Sequence, residues 1–120
     1  MEISGYRFAA TLKRLEGDQR LFQELAVYFI EDAPALLQAI RAGVASGNAG
    51  DSQRAAHSLR GLLANFDAEQ ALAGSVEDLC GNGELQRVPE ALAPLEMEVQ
   101  SLRDALRQFT PQSLAAARPR

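Results

Sequence analysis

The feature that most constrains the fold of this chain is a run of apolar residues near its C-terminal end, spaced three and four positions apart. Since an α-helix has 3.6 residues per turn, this spacing places the whole run on one stripe of a helix. Alternating three- and four-residue steps are typical of a helix that packs at a shallow angle against other helices. The run consists of Leu85, Val88, Leu92, Leu95, Val99, Leu102, Leu106 and Phe109.

The preceding segments show the same helical spacing, and none of them alternates β-branched with polar residues as a strand would. The pattern predicts a short helix over about residues 6–15, closed by Gly17. A long second helix then follows Asp18, whose side chain can accept backbone N–H groups as an N-cap. It ends near Ser46 and Gly47, because glycine readily adopts the conformation that terminates a helix.

Prolines fall inside two of these helical patterns. Pro34 lies in the stripe of the second helix, where it removes one hydrogen bond to the carbonyl of Ile30, and we expect a kink there. In the last helix, Pro89 is acceptable if the helix begins at that point. Pro94 then falls just past the first turn, where we expect it to bend the helix or delay its start.

Two further helices lie between the second helix and the last. Residues 48–51 can cap a third helix, which ends at residues 66–67. Asp67 and Gln70 have the spacing of a capping box for a fourth helix. That helix ends at residues 81–83, where Gly-Asn-Gly is a strong turn signal.

Four amphipathic helices with short connections, after a small leading helix, define an economical arrangement. We expect an all-α fold, an antiparallel up-and-down four-helix bundle with a short additional N-terminal helix. The bundle domain is predicted to span residues 1–109. Residues 110–120 lack apolar periodicity and are expected to form a frayed tail.

Composition excludes several classes of protein. The net charge is −4 with scattered lysines and arginines, which argues against binding to nucleic acid. No apolar stretch approaches the roughly 20 residues of a membrane span, and residues 1–5 lack the features of a signal peptide. The lone Cys80 cannot form an internal disulfide or anchor a zinc site, so no metal is expected. We therefore expect a cytoplasmic protein. A monomer is the default expectation, because the helix face that bears the single histidine must remain open.

The single histidine, His57, lies in the predicted third helix on the side away from the apolar stripe. It shares that side with Gly61 and Ala64, which leave a patch of backbone that a partner can approach closely, and Arg60 flanks the patch. A glycine within a helix costs about 1 kcal/mol relative to alanine, and close approach of another molecule is one reason for it. From position alone, His57 is either a surface bystander or a functional imidazole. The apolar stripe contains Ala55, Leu59, Leu62, Leu63 and Phe66.

Residues 57–61, HSLRG, followed by Ala64 and Asn65, resemble the signature of histidine-containing phosphotransfer (HPt) domains, H-[ST]-L-K-G followed by a small residue and Asn. Residues 29–34, FIEDAP, are similar to the F-x-E-D-x-P motif of the same family. The similarity extends from about residue 12 to residue 106. The upstream motif, its spacing and the bundle-like periodicity together make the resemblance specific.

The resemblance implies that His57 accepts a phosphoryl group from a receiver-domain aspartate and passes it to another. A neutral imidazole has a nitrogen lone pair available for attack on phosphorus, so His57 needs no activating base. Arg60 can stabilise the charge on the phosphoryl oxygens, while Gln53, Gly61 and Ala64 are assigned to partner docking. The implied partners are a response-regulator receiver domain and a hybrid sensor histidine kinase. The receiver is expected to supply Mg²⁺, so this chain would be a phosphocarrier without kinase or phosphatase activity of its own.

Several residues depart from the family pattern. Arg60 stands where the family favours Lys, which keeps the charge but changes its geometry. Asp67 replaces a common glycine and can adopt a left-handed turn or act as a cap. Cys80 replaces an acidic residue and is expected to be buried and unreactive.

Three other classes compete with the phosphorelay reading. A non-phosphorylated adaptor that binds a receiver domain or kinase is disfavoured, because it has no need of His57, Arg60 and Gly61 together. A di-iron bundle enzyme requires two Glu-x-x-His motifs, which one histidine cannot supply. A sensor-kinase dimerisation domain usually has an acidic residue directly after its histidine, where this chain has Ser58.

Overall fold

The computed structural model describes residues 2–3 and 6–109, and the tail expected at residues 110–120 lies outside this part. The prediction of an α-helical fold is confirmed, apart from a short strand pair near the N-terminus. The helices are α1 (Ala9–Arg14), α2 (Gln19–Ser46), α3 (Ala49–Ala64), α4 (Ala71–Gly81) and α5 (Val88–Leu106), and 3₁₀ turns span Leu85–Arg87 and Arg107–Phe109.

The N-terminal segment differs from the prediction. Two two-residue strands, β1 (Glu2–Ile3) and β2 (Tyr6–Arg7), pair in antiparallel register. The first helix therefore begins at Ala9, and its predicted start at residue 6 is wrong. A strand of two residues is too short to show the alternation of apolar and polar residues from which a strand is predicted.

Only two residues, Gly47 and Asn48, connect α2 to α3, and both take part in helix caps. At the start of α2, Asp18 accepts the N–H of Leu21 at 2.9 Å, as predicted. At its end, Gly47 adopts a left-handed conformation with φ of 74°. Asn48 then caps α3 by accepting the N–H of Asp51 at 3.0 Å.

Contacts near both ends show that α3 runs back along α2. The buried hydroxyl of Ser52 donates to the carbonyl of Ile40 at 2.9 Å, next to Gly43. A Cβ on Gly43 would lie 2.1 Å from the Ser52 oxygen, so glycine is required for this close approach. At the other end, the ring of Phe66 meets that of Phe29 edge to face, with centroids 5.9 Å apart.

The carbonyl left without a helical partner by Pro34 is satisfied from α5. The helix α2 continues through Pro34 to Ser46, and Arg103 Nε donates to the carbonyl oxygen of Ile30 at 3.1 Å. Farther along the same pair of helices, Arg41 and Glu96 form an ion pair of 2.6 Å. These two contacts place α5 antiparallel to α2.

Pro94 was expected either to bend the last helix or to delay its start, and the structure tests the second of these. It starts at Val88, with Pro89 in the first turn and Pro94 inside the helix, so a start delayed by Pro94 is wrong. The members of the predicted apolar stripe from Leu85 to Leu106 lie in the core, with Leu85 partly buried in the preceding 3₁₀ turn. The fully or almost fully buried members are Val88, Leu92, Leu95, Val99, Leu102 and Leu106.

The predicted capping box at the start of α4 is wrong. Asp67 has a φ of 54° and accepts a hydrogen bond from the Thr11 hydroxyl at 2.8 Å, which ties α1 to the segment after α3. Gln70 precedes α4 without capping it through its side chain. Instead, the carboxylate of Glu69 accepts the N–H of Ala71 at 2.7 Å. A long-range hydrogen bond has displaced the local capping that sequence spacing suggested.

Candidate functional site

The site is built on α3, whose two faces have opposite environments. Ala56, Leu59 and Leu63 are fully buried against the rest of the fold. The side chain of His57 is 71% exposed, on the solvent side of the same helix. Burial of the apolar stripe fixes the rotation of α3 about its axis, and this rotation holds His57 at the surface.

One carboxylate of α4 joins His57 to Arg60. Glu77 Oε2 lies 2.9 Å from His57 Nδ1, and Arg60 Nη1 donates to Glu77 Oε1 at 3.0 Å. The Glu77 side chain is only 16% exposed, so it is largely shielded between the two helices. An ionised carboxylate can only accept hydrogen bonds, and Nδ1 therefore carries the hydrogen in this contact. The lone pair of the neutral ring is then on Nε2.

The other residues predicted for docking share the outer side of α3. Gly61 is exposed, and a Cβ built on it would meet no atom of the described residues within 4 Å. Ala64 is half-buried one turn further along. The exposed Gln53 lies one turn before His57, and its amide covers Gly81 of α4. These positions form a strip of small and polar side chains around the imidazole.

A shallow groove of about 320 Å³ adjoins the strip where α3 meets α2. The groove borders the next residue after His57, and its walls are mainly apolar. Its lining residues are Asp32, Ala35, Leu36, Ser58 and Leu62. The groove extends the surface that a docking partner could contact beyond the strip itself.

Glu77 and the groove were missed in the sequence because both arise between helices. The missing signal for Glu77 was the register of α4 against α3. Gly81 lies against Gln53, and four residues back along α4 and forward along α3 bring Glu77 to His57. Because α3 and α4 are antiparallel, the contact between Gln53 and Gly81 implies the contact between His57 and Glu77. The sequence alone does not show that Gln53 meets Gly81.

Metal binding, a membrane span and a reactive thiol find little support in the part of the chain that the structure describes. No group of three or more His, Cys, Asp or Glu side chains there could hold a metal ion. None of the helices in that part is both long and apolar enough to cross a membrane. Cys80 is buried, and desolvation raises the pKa of its thiol, so the neutral thiol is favoured over the nucleophilic thiolate.

The fold and the site together define a helical protein with an exposed histidine on the solvent side of α3. The family model described as "Hpt domain" matches residues 24–108, well over half of the chain. The chain therefore belongs to the Hpt domain family, and the resemblance noted in the sequence is confirmed. Hpt domains are phosphocarriers that take part in phosphotransfer in two-component signalling. Comparison with curated proteins and with solved structures gives no match.

Proposed function

We propose that this protein relays a phosphoryl group between receiver-domain aspartates in a multistep phosphorelay, with His57 as the carrier. The observation that carries the proposal is the exposed imidazole whose Nδ1 is occupied by Glu77. In this arrangement Nε2 is the nucleophile. We also infer that the four longer helices form an antiparallel up-and-down bundle, with α1 as the short additional helix.

The transfer is a displacement at phosphorus. The Nε2 lone pair of His57 forms the N–P bond, the P–O bond of the receiver's aspartyl phosphate breaks, and its electron pair returns to the aspartate. Arg60 lies one turn from His57 and stabilises the charge spread over the phosphoryl oxygens. The receiver supplies Mg²⁺ and the acidic pocket that holds it. Onward transfer to a second receiver is the reverse displacement, so the chain needs no kinase or phosphatase chemistry of its own.

The docking surface in this proposal is the outer side of α3. Gln53 and Ala64 border His57 along the helix, and exposed Gly61 leaves the room that the receiver's active-site loops need. The partners are the receiver domain of a response regulator and a hybrid sensor histidine kinase. A monomer acting in the cytoplasm is the simplest form that keeps this surface open.

The test is transfer from receiver domains phosphorylated with acetyl phosphate in the presence of Mg²⁺. We expect the wild type to gain acid-labile label and His57→Gln to gain none while retaining the same helical circular dichroism. If the protein binds a receiver but gains label from none of them, the relay is refuted and an adaptor is supported.

A matched pair of substitutions separates the role of Arg60 from its charge. Arg60→Ala is expected to slow transfer or shorten the lifetime of the phosphohistidine. Arg54→Ala removes the same charge from the same helix, where Arg54 pairs with Asp51, and is expected to leave both quantities unchanged. Equal behaviour of the two variants would assign Arg60 to the solvated surface.

A further inference from the structure

We propose that Glu77 is a positioning residue for phosphoryl transfer, setting the proton of His57 and the placement of Arg60 at the same time. This inference rests on the function proposed above and extends it to a residue of α4. One carboxylate contacts both groups, with one oxygen at 2.9 Å from the imidazole and the other at 3.0 Å from the guanidinium.

The first consequence concerns the proton on the imidazole ring. A neutral histidine in water exchanges its single proton between the two ring nitrogens, and only molecules with the lone pair on Nε2 are ready to attack. Glu77 accepts only, so it selects the form of His57 with hydrogen on Nδ1. Among neutral rings, the carboxylate therefore places the lone pair on the nitrogen that attacks.

The second consequence concerns charge during the reaction. When Nε2 forms its bond to phosphorus, the ring keeps its Nδ1 hydrogen and gains positive charge. The Glu77 carboxylate faces that hydrogen and stabilises the charge, as a carboxylate does for a catalytic imidazolium. When the phosphoryl group leaves, the electron pair of the N–P bond returns to Nε2 and the ring is neutral again. The step needs no proton transfer in either direction.

The third consequence concerns Arg60. An arginine has five N–H donors, and Glu77 engages Nη1. The remaining donors stay available for phosphoryl oxygens, while the long side chain is already held beside His57. Holding it in advance reduces the loss of side-chain freedom on docking.

Glu77→Gln is the sharpest variant because it keeps the shape of the side chain. Arg60 can only donate, so it will take the amide oxygen of the new glutamine and leave the amide NH₂ facing His57. The NH₂ group donates to Nδ1, which moves the ring proton to Nε2. We therefore expect inversion of the tautomer, which long-range ¹H–¹⁵N NMR of the imidazole at pH 8 measures directly.

The reaction rate is measured with potassium phosphoramidate, a small phosphoryl donor to histidine that requires no receiver. In this reaction Nε2 gains the phosphoryl group and ammonia leaves. We expect Glu77→Gln to be labelled about tenfold more slowly or worse than the wild type, by analogy with wrong-tautomer substitutions in catalytic triads. Glu77→Ala, in which solvent sets the tautomer mixture, is expected to fall between them. The control Asp78→Asn removes the neighbouring exposed carboxylate of α4 and should match the wild type.

The outcomes separate this inference from the relay itself. An unchanged tautomer in Glu77→Gln, or labelling as fast as the wild type, would overturn the role of Glu77 and leave the receiver experiment unaffected. Failure of every receiver to label a wild type that phosphoramidate does label would overturn the relay, whatever the behaviour of Glu77. A loss of melting temperature with an unchanged tautomer would mark Glu77 as structural only and would also overturn the inference.

Discussion

Replacing Gly61 with alanine should stabilise this protein and impair its proposed function at the same time. The added Cβ meets no atom of the described residues within 4 Å, so the substitution has no steric cost in the isolated chain. Alanine is favoured over glycine within a helix by about 1 kcal/mol. For a domain of this size, a gain of about 1 kcal/mol raises the melting temperature by roughly 3–6 °C.

The same methyl group stands where the proposed partner must approach. Gly61 lies one turn after His57, and a displacement of about 1 Å between reacting groups can cost on the order of 100-fold in rate. We expect Gly61→Ala to slow transfer from a phosphorylated receiver at least severalfold, and Gly61→Gln to block it. Labelling by phosphoramidate should be unaffected in Gly61→Ala, because that donor is too small to touch the new side chain.

Thermal unfolding and transfer kinetics on the same preparations provide the assay. Ser101→Ala is the control, since it also raises helix propensity at an exposed position, on α5. It should stabilise the fold without slowing transfer, which separates stability from access. Transfer by Gly61→Ala at the wild-type rate would refute the argument that this glycine exists for close approach. A lower melting temperature for Gly61→Ala would refute the conclusion that the space beside Gly61 is open.

Three further predictions follow from buried contacts. Arg103→Ala should lower the unfolding free energy by about 1–2 kcal/mol and by less in a Pro34→Ala background, where residue 34 regains an N–H for the orphaned carbonyl; equal losses in urea titrations would contradict this. Gly43→Ala should cost about 1–3 kcal/mol, because the new Cβ collides with Ser52, and a stable variant would contradict that packing. Since burial raises the pKa of the Cys80 thiol, iodoacetamide should modify Cys80 slowly at pH 8 unless urea unfolds the protein, and rapid native labelling would contradict this.

Local interactions explain which parts of the fold were accessible from the sequence. Asp18 and Asn48 cap helices through N–H groups three residues away, and Gly47 ends α2 through its own backbone conformation. Such contacts depend on spacing alone, so a sequence displays them. The orientation of His57 was accessible for a similar reason, because the buried face of α3 fixes the exposed one.

Contacts between distant residues explain what the sequence did not show. Asp67 has the spacing of a helix cap, but its carboxylate binds Thr11, 56 positions earlier. In the sequence, Glu77 cannot be distinguished from other acidic residues on an amphipathic helix. Its contact with His57 depends on the register of α4 against α3. In both cases the packing of the helices, and not the local spacing, decides which partner the side chain meets.

Gly43 and Gly61 show how the structure sharpens the functional argument. Both are glycines inside long helices, and each sacrifices helix stability relative to alanine. For Gly43 the reason lies within the molecule, since Ser52 occupies the space that a side chain would need. Around Gly61 the described residues leave that space open, so its missing side chain is not explained by packing. Under the proposed function, the approach of a receiver to the exposed His57 accounts for it, and Gly61 and the imidazole would then serve the same event.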